Sequence, residues 1–151
     1  MNNKISLADK GYSAFLASLD PVSIALVKSA VSLERLKYLE SERERIYVIF
    51  ASKLLRLGDE HFDVKTTLEL EIKKEEASKP LLRFSATYDL HFHADGVTKQ
   101  NVDRFVKSDV RLLIWPYLRE LVSSMSSRMH IPPILLPVGK PGNDSQSSEA
   151  S

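Results

Sequence analysis

The spacing of apolar residues changes several times along the chain, and each change marks an element. Ile5, Ala8, Tyr12, Phe15, Leu16 and Leu19 recur at three-and-four spacing, which predicts an amphipathic helix that Asp20-Pro21 stops. Ile24 and Val27 then give residues 23–30 the weak face of a second short helical turn. From Val31 the period becomes two. Val31 and Leu33 alternate with polar neighbours, and Leu36 and Tyr38 continue in the opposite phase, as a bulge between Glu34 and Arg35 would produce. After a charged turn over residues 40–45, Ile46, Val48 and Phe50 alternate with Tyr47, Ile49 and Ala51. This strand is apolar on both faces and calls for cover on two sides.

Two half-buried strands follow. Phe62, Val64, Thr66, Leu68, Leu70 and Ile72 line one face of the first, against Asp63, Lys65, Thr67, Glu69, Glu71 and Lys73. Leu82, Phe84, Ala86, Tyr88, Leu90, Phe92 and Ala94 do the same in the second, and a turn around Ser78-Lys79-Pro80 joins the two as an antiparallel hairpin. Four strands in series with no helix between them imply an antiparallel sheet in an α+β fold, not a βαβ arrangement.

Asp95-Gly96 ends the sheet, and Thr98 caps a long helix with the stripe Val102, Phe105, Val106, Leu112 and Leu113, interrupted by Asp109. Pro116 disfavours helical geometry at Trp115, so a kink or a restart is expected there, with the helix packed on one face of the sheet. The following stripe is Leu118, Leu121, Val122, Met125 and Met129. Ser123, Ser124, Ser126 and Ser127 oppose it and are small enough to let another helix approach.

Beyond His130, prolines at 132, 133 and 137 force an extended apolar strap through Val138. Ile131, Ile134, Leu135, Leu136 and Val138 cannot all face inward from such a segment, so the strap closes the chain's own core, meets a partner, or does both. Residues 139–151, rich in Gly, Pro and Ser, read as a disordered tail. The resulting division is a helical extension over 1–30, a main domain over 31–138 and the tail over 139–151.

Composition narrows the chemistry. At 151 residues with 43% hydrophobic content the chain can bury a core without staples, and the absence of cysteine removes disulfides, zinc-thiolate sites and cysteine nucleophiles. Twenty-one Lys plus Arg against 20 Asp plus Glu leave a net charge of +1, which provides no field for gathering nucleic acid or an anionic membrane. Charges interrupt every apolar stretch before it could span a bilayer, and Asp9, Lys10 and Asp20 break any secretory signal, so a cytoplasmic address is expected.

No phosphate-binding glycine loop or serine elbow is present, and no enzyme activity is expected. His91-Phe92-His93 with Asp95 is the one arrangement with metal-ligand spacing, since alternate strand residues share a face; His61 and His130 are remote in sequence. A small metal- or ligand-binding module using His91 and His93 is therefore the rival to a protein built around interaction surfaces.

Pro116, Tyr117, Arg119, Glu120, Arg128, Pro132, Leu136 and Pro137 stand in the order and spacing of a known signature: aromatic-Pro-Tyr-x-Arg-Glu in a long helix, an Arg-containing turn, and a proline-bearing apolar strap. In these residues the chain resembles the SecB family of export chaperones. Pro132-Pro133 makes the strap most similar to SecB-like chaperones associated with toxin–antitoxin systems. The resemblance covers residues 31–138. It implies an ATP-independent holdase without cofactor, assembled as a dimer of dimers, that binds non-native polypeptides in long apolar grooves. Tyr117, Leu121, Met125, Ile131, Ile134, Leu135 and Leu136 are the implied client-binding residues; core or inter-subunit packing is the alternative for each. Secretory members contact SecA through an acidic patch on the open sheet face. Here that face mixes Asp63, Glu69, Glu71 and Asp89 with Lys65, Lys73 and Arg83, which argues against SecA and leaves an aggregation-prone antitoxin as an equally suitable client. Secretory members also carry a further helix beyond the strap, whereas this chain places its extra helix ahead of the sheet.

Overall fold

The computed structural model describes residues 6–41, 44–74 and 79–136, together with the backbone of 148–149. Helix α1 (Leu7–Ser18) is capped by Ser6, whose hydroxyl accepts from the Asp9 N–H, and strand β1 (Asp20–Leu33) follows it. A short helix α2 (Arg35–Leu39) leads to β2 (Glu44–Leu57), β3 (His61–Lys74) and β4 (Leu82–His93). The helical layer then runs from α3 (Lys99–Arg104) through a π turn (Phe105–Asp109) into α4 (Val110–Arg128).

All pairings are antiparallel and the strand order is β1-β4-β3-β2, with the two-residue β5 (Ser148–Glu149) outside β2. Strands β2, β3 and β4 form consecutive hairpins while β1 lies beside β4, the Greek-key order. The β2–β3 turn uses Gly58, where a Cβ would meet the His61 carbonyl oxygen at 3.1 Å. Gly96 takes φ +67° in the turn that leaves β4.

Two sequence expectations fail at the start of the sheet. Residues 23–30 are not helical but lie in β1, so the expected boundary after residue 30 falls inside a strand. Residues 35–39 are helical rather than extended. The cause is a pair of register irregularities in β1, at Pro21/Ser23 and Leu26/Lys28. They place Ile24, Leu26, Ser29, Val31 and Leu33 opposite the inward-facing residues of β4, and the three-residue step from Leu26 to Ser29 imitates helical spacing. Pro21 is tolerated because β1 is an edge strand with an irregularity at that point.

The core lies on one face of the sheet. Phe62, Val64, Leu68, Leu70 and Ile72 of β3 and Leu82, Phe84, Leu90 and Phe92 of β4 pack there against Val102, Phe105, Val110, Ile114, Leu118 and Val122 of the helical layer. These helix residues step by three, five, four, four and four. The π turn supplies the five-residue step, and without it the stripe would rotate off the sheet after Phe105. Leu112, expected in the stripe, is thereby exposed. Pro116 stands inside α-helical geometry rather than opening a second helix, and the irregular turn is the one ending at Asp109. Pro116 and Leu112 both face outward, so the carbonyl that the proline leaves without a donor is turned toward solvent.

Helix α1 closes one end of the core. Phe15 is buried and joins Phe62 (ring centroids 5.9 Å apart) and Phe105 (6.2 Å), which also pack with Phe92. Its outer side is tied to the π turn: the Tyr12 hydroxyl donates to the Asp109 carboxylate, Arg104 lies 4.1 Å over the Tyr12 ring, and Arg104 pairs with Asp9 at 3.0 Å. Burial, and then the Asp109 hydrogen bond, raise the Tyr12 pKa, keeping the phenol protonated as the donor. Ile5 and most of the tail lie outside the described residues. Phe15→Ala should cost about 3 kcal/mol or more in urea unfolding, the range for emptying a packed aromatic site.

Candidate functional site

The strap is held by the end of the helix it follows. Helix α4 closes with His130 in the left-handed region (φ +52°), the His130 N–H donating to Ser127 O (3.1 Å) and the Ile131 N–H to Ser126 O (3.3 Å), a Schellman arrangement. The chain then doubles back along α4. Ser126, fully buried, donates through Oγ to Val122 O (2.8 Å) and accepts the Ile134 N–H (3.1 Å); Arg119 Nε donates to Leu136 O (3.2 Å). Ser126, expected on a face open to another helix, instead receives the strap.

This path sorts the seven expected binding residues. Ile131, Ile134 and Leu136 are buried in the core, and Leu121 and Met125 are half-buried against it. Tyr117 and Leu135 are exposed, at 44% and 74%. Pro137 and Val138 lie outside the described residues. Alternation along the extended strap, fixed by its hydrogen bonds, turns Leu135 outward between two buried neighbours.

Apolar exposure continues in residues that the sequence reading did not count among the binding candidates. Leu36 (72% exposed) and Leu39 lie on α2, whose Arg35 donates to the His130 carbonyl (3.2 Å) and so ties α2 to the turn that opens the strap. The spacing of Leu36 and Leu39 was a helical signal, masked by reading this stretch as a strand. Val22, Leu26, Val27 and Val31 are exposed on β1, and Leu112 on α4. Ile49 is 62% exposed on β2, because the helical layer covers only the other face; the two-sided cover expected for this strand does not arise within one chain.

The open sheet face is polar and mixed in sign. Glu71 pairs with Lys73 (3.1 Å) and Arg83 (2.7 Å), which hold its carboxyl below the usual carboxylate range. At the other end the β3–β4 register brings His61 opposite His93, although the two are remote in sequence. The His61 ring stacks on His91 (centroids 5.2 Å) and meets His93 edge-on (4.8 Å). His91 hydrogen-bonds Asp63, which also pairs with Arg56 at 2.8 Å. Among the described residues no group of three or more His, Asp or Glu side chains is placed to hold a metal ion. Asp95 belongs to the following turn, where its N–H donates to Ser18 Oγ (2.9 Å).

A one-sided Greek-key sheet roofed by a long helix, with a strap folded back on that helix and apolar side chains left outside, is an α+β architecture. The family model for preprotein translocase subunit SecB matches residues 28–138, most of the chain, and the chain belongs to the SecB family. A solved Mycobacterium tuberculosis structure, the SecB-like chaperone Rv1957 in complex with a ChAD peptide from the Rv1956 HigA1 antitoxin, matches with TM-score 0.72 and 17% identity, over 88% of this chain and 99% of that one; it shares the fold. A Streptococcus agalactiae protein of unknown function matches at TM-score 0.43 and 10% identity, over 79% and 96% of the two chains. Comparison with curated proteins gave no significant match.

The strap's anchors make opposite predictions. Ser126→Ala removes the acceptor for a buried N–H and should cost about 1 to 3 kcal/mol in chemical denaturation. His130→Gly relieves left-handed strain and should raise stability by roughly 0.5 to 1 kcal/mol, with the Arg35 contact to the backbone carbonyl retained.

Proposed function

We propose that the chain is an ATP-independent holdase, which keeps non-native polypeptides from aggregating by taking their extended apolar segments onto the strap, α2 and the neighbouring face of α4. The observation that carries this reading is the exposure of Leu135 and Leu36 on supports made rigid by hydrogen bonds: the strap through Ser126 and Arg119, and α2 through Arg35. Leucines held outward in this way lose little further entropy when a client covers them, and adaptable Met125, half-buried on α4, suits varied sequences. Tyr117 and Leu135 are the client-contacting residues, Leu121 and Met125 form the flanks, and Ile131, Ile134 and Leu136 set the strap's position from below.

Clients are extended apolar segments, in export precursors or in an aggregation-prone antitoxin. The antitoxin peptide bound by the mycobacterial relative supports that class of partner. The mixed open face offers SecA no acidic patch. Exposed Val22, Leu26, Val27 and Val31 on the edge strand β1, with Leu112 on α4, are the surfaces for self-association into a dimer of dimers. The reading places the protein in the cytoplasm and needs neither cofactor nor catalysis. No helix among the described residues is long and apolar enough to cross a membrane.

Equimolar protein should suppress light scattering by a chemically denatured client without nucleotide. The double variant Leu36→Ser, Leu135→Ser should need several-fold more protein for the same suppression while unfolding within about 1 kcal/mol of the parent, as for surface substitutions. No suppression by the parent chain at several-fold excess would refute the reading. Multi-angle scattering should return about four times the monomer mass.

A further inference from the structure

The chain holds no cysteine, so its sulfur chemistry rests on three methionines, and Met125 and Met129 are the two among the described residues. They lie at the end of α4, four residues apart, with the Met129 N–H donating to Met125 O at 3.0 Å. Residues at this spacing are neighbours on one side of a helix. Both side chains are half-buried against the core, so each is packed in part and reached by solvent in part. We infer that Met125 and Met129 form an oxidation site, at which a hydroperoxide converts the thioethers to sulfoxides and so unseats the strap where it leaves α4.

Position carries the argument first. The buried stripe of α4 steps from Ile114 to Leu118 and Val122 and then reaches Ser126, which gives up apolar packing to accept the strap's Ile134 N–H. Met125 and Met129, three and seven positions beyond Val122, take over the apolar stripe at that point. Met129 is also the residue that caps α4, directly before His130, whose left-handed turn starts the strap and whose carbonyl accepts from Arg35 at 3.2 Å. The last turn of α4 therefore rests on two flexible thioethers, and the seat of the strap depends on that turn.

The reaction balances with the oxidant alone. A sulfur lone pair attacks one peroxide oxygen, the S–O bond forms as the O–O bond breaks, and the departing oxygen takes the peroxide proton and leaves as water or an alcohol. The sulfur loses two electrons and the peroxide gains them. The product is polar and carries an acceptor oxygen with no donor of its own, and against the core that oxygen costs free energy until it reaches water. Either the side chain swings out or the turn moves. Both remove packing from the last turn, which positions the Ser126 hydroxyl, and free Ile131, Ile134 and Leu136 to emerge. Trp115, the one tryptophan, is only 5% exposed and is shielded from the same reagent. Control of client capture by this site rests on the holdase reading, whereas the oxidation and the unseating do not.

Hydrogen peroxide is the probe, used on the full chain in native buffer without any client, so failure here leaves the holdase reading untouched. Peptide mass mapping should place one oxygen on each of Met125 and Met129 while the β3–β4 amides keep their protection against hydrogen exchange. The Ile134 amide should then exchange at least about tenfold faster, as a local opening would allow. Methionine sulfoxide reductases of both epimer specificities should restore its protection. Met129→Gln, polar and of similar length, should loosen Ile134 without oxidant, and the double variant Met125→Leu, Met129→Leu should stay protected under peroxide. Should the double variant fail to fold, reversal by the reductases decides, since it needs no substitution. Methionines that take up oxygen only after unfolding overturn the inference. So does full oxidation with unchanged Ile134 exchange, acceleration that survives in the double leucine variant, or loss of β3–β4 protection in parallel with Ile134.

Discussion

The helical layer covers one face of the sheet only, and most other features follow from that constraint. Alternate residues of β3 and β4 go inward and pack on Val102, Phe105, Ile114 and Leu118, while the residues between them must be satisfied in water. The open face meets this with cross-strand charge pairs such as Arg83–Glu71 and with the stacked histidines at its far end. A single long helix cannot also cover both ends of a twisted sheet. Helix α1 closes one end through Phe15, and the strap closes the other through Ile131, Ile134 and Leu136.

Both closures depend on interruptions in the helix they dock against. The π turn keeps the apolar stripe in phase with the sheet and leaves Asp109 directed at Tyr12, so the residue that breaks the hydrophobic pattern is also the one that anchors the N-terminal helix. Such a turn costs helical regularity, which the added contacts offset. At the other end Ser126 interrupts the stripe in turn, and its hydroxyl satisfies the strap's Ile134 N–H inside the core. A leucine there would pack but would leave that N–H without a partner. The arginine of the Pro-Tyr-x-Arg-Glu motif, Arg119, has a comparable task at the strap's far end.

Among the described residues, exposed apolar side chains fall on β1, on α2, on β2 at Ile49, Leu55 and Leu57, and at Leu112, Tyr117 and Leu135, with Leu7 apart at the start of α1. Isolated exposed leucines need no explanation, but groups of them on edge strands and on hydrogen-bonded straps are surfaces where other chains fit. The SecB family membership supports a chaperone, and these surfaces are where the proposed contacts with clients and with further copies would form.

Local pattern determined those elements whose periodicity is unbroken. The helix of Tyr12 and Phe15, the alternating strands β3 and β4, the helical layer and the proline strap were all legible, because burial on one face imposes a period that the residues themselves display. The Pro116 signature and strap also carried the family likeness. Tertiary structure decided wherever the period was broken. Irregularities in β1 disguised a strand as a helix, the π turn moved Leu112 outward, and the β3–β4 register set His61 against His93 from opposite ends of the hairpin's sequence. The proposed binding surface divides in the same way. That an apolar extended strap exists follows from its prolines and leucines, but that Leu135 faces water and Leu136 the core was settled by Ser126 and Arg119, whose hydrogen bonds fix the strap's rotation and which no local pattern can reveal.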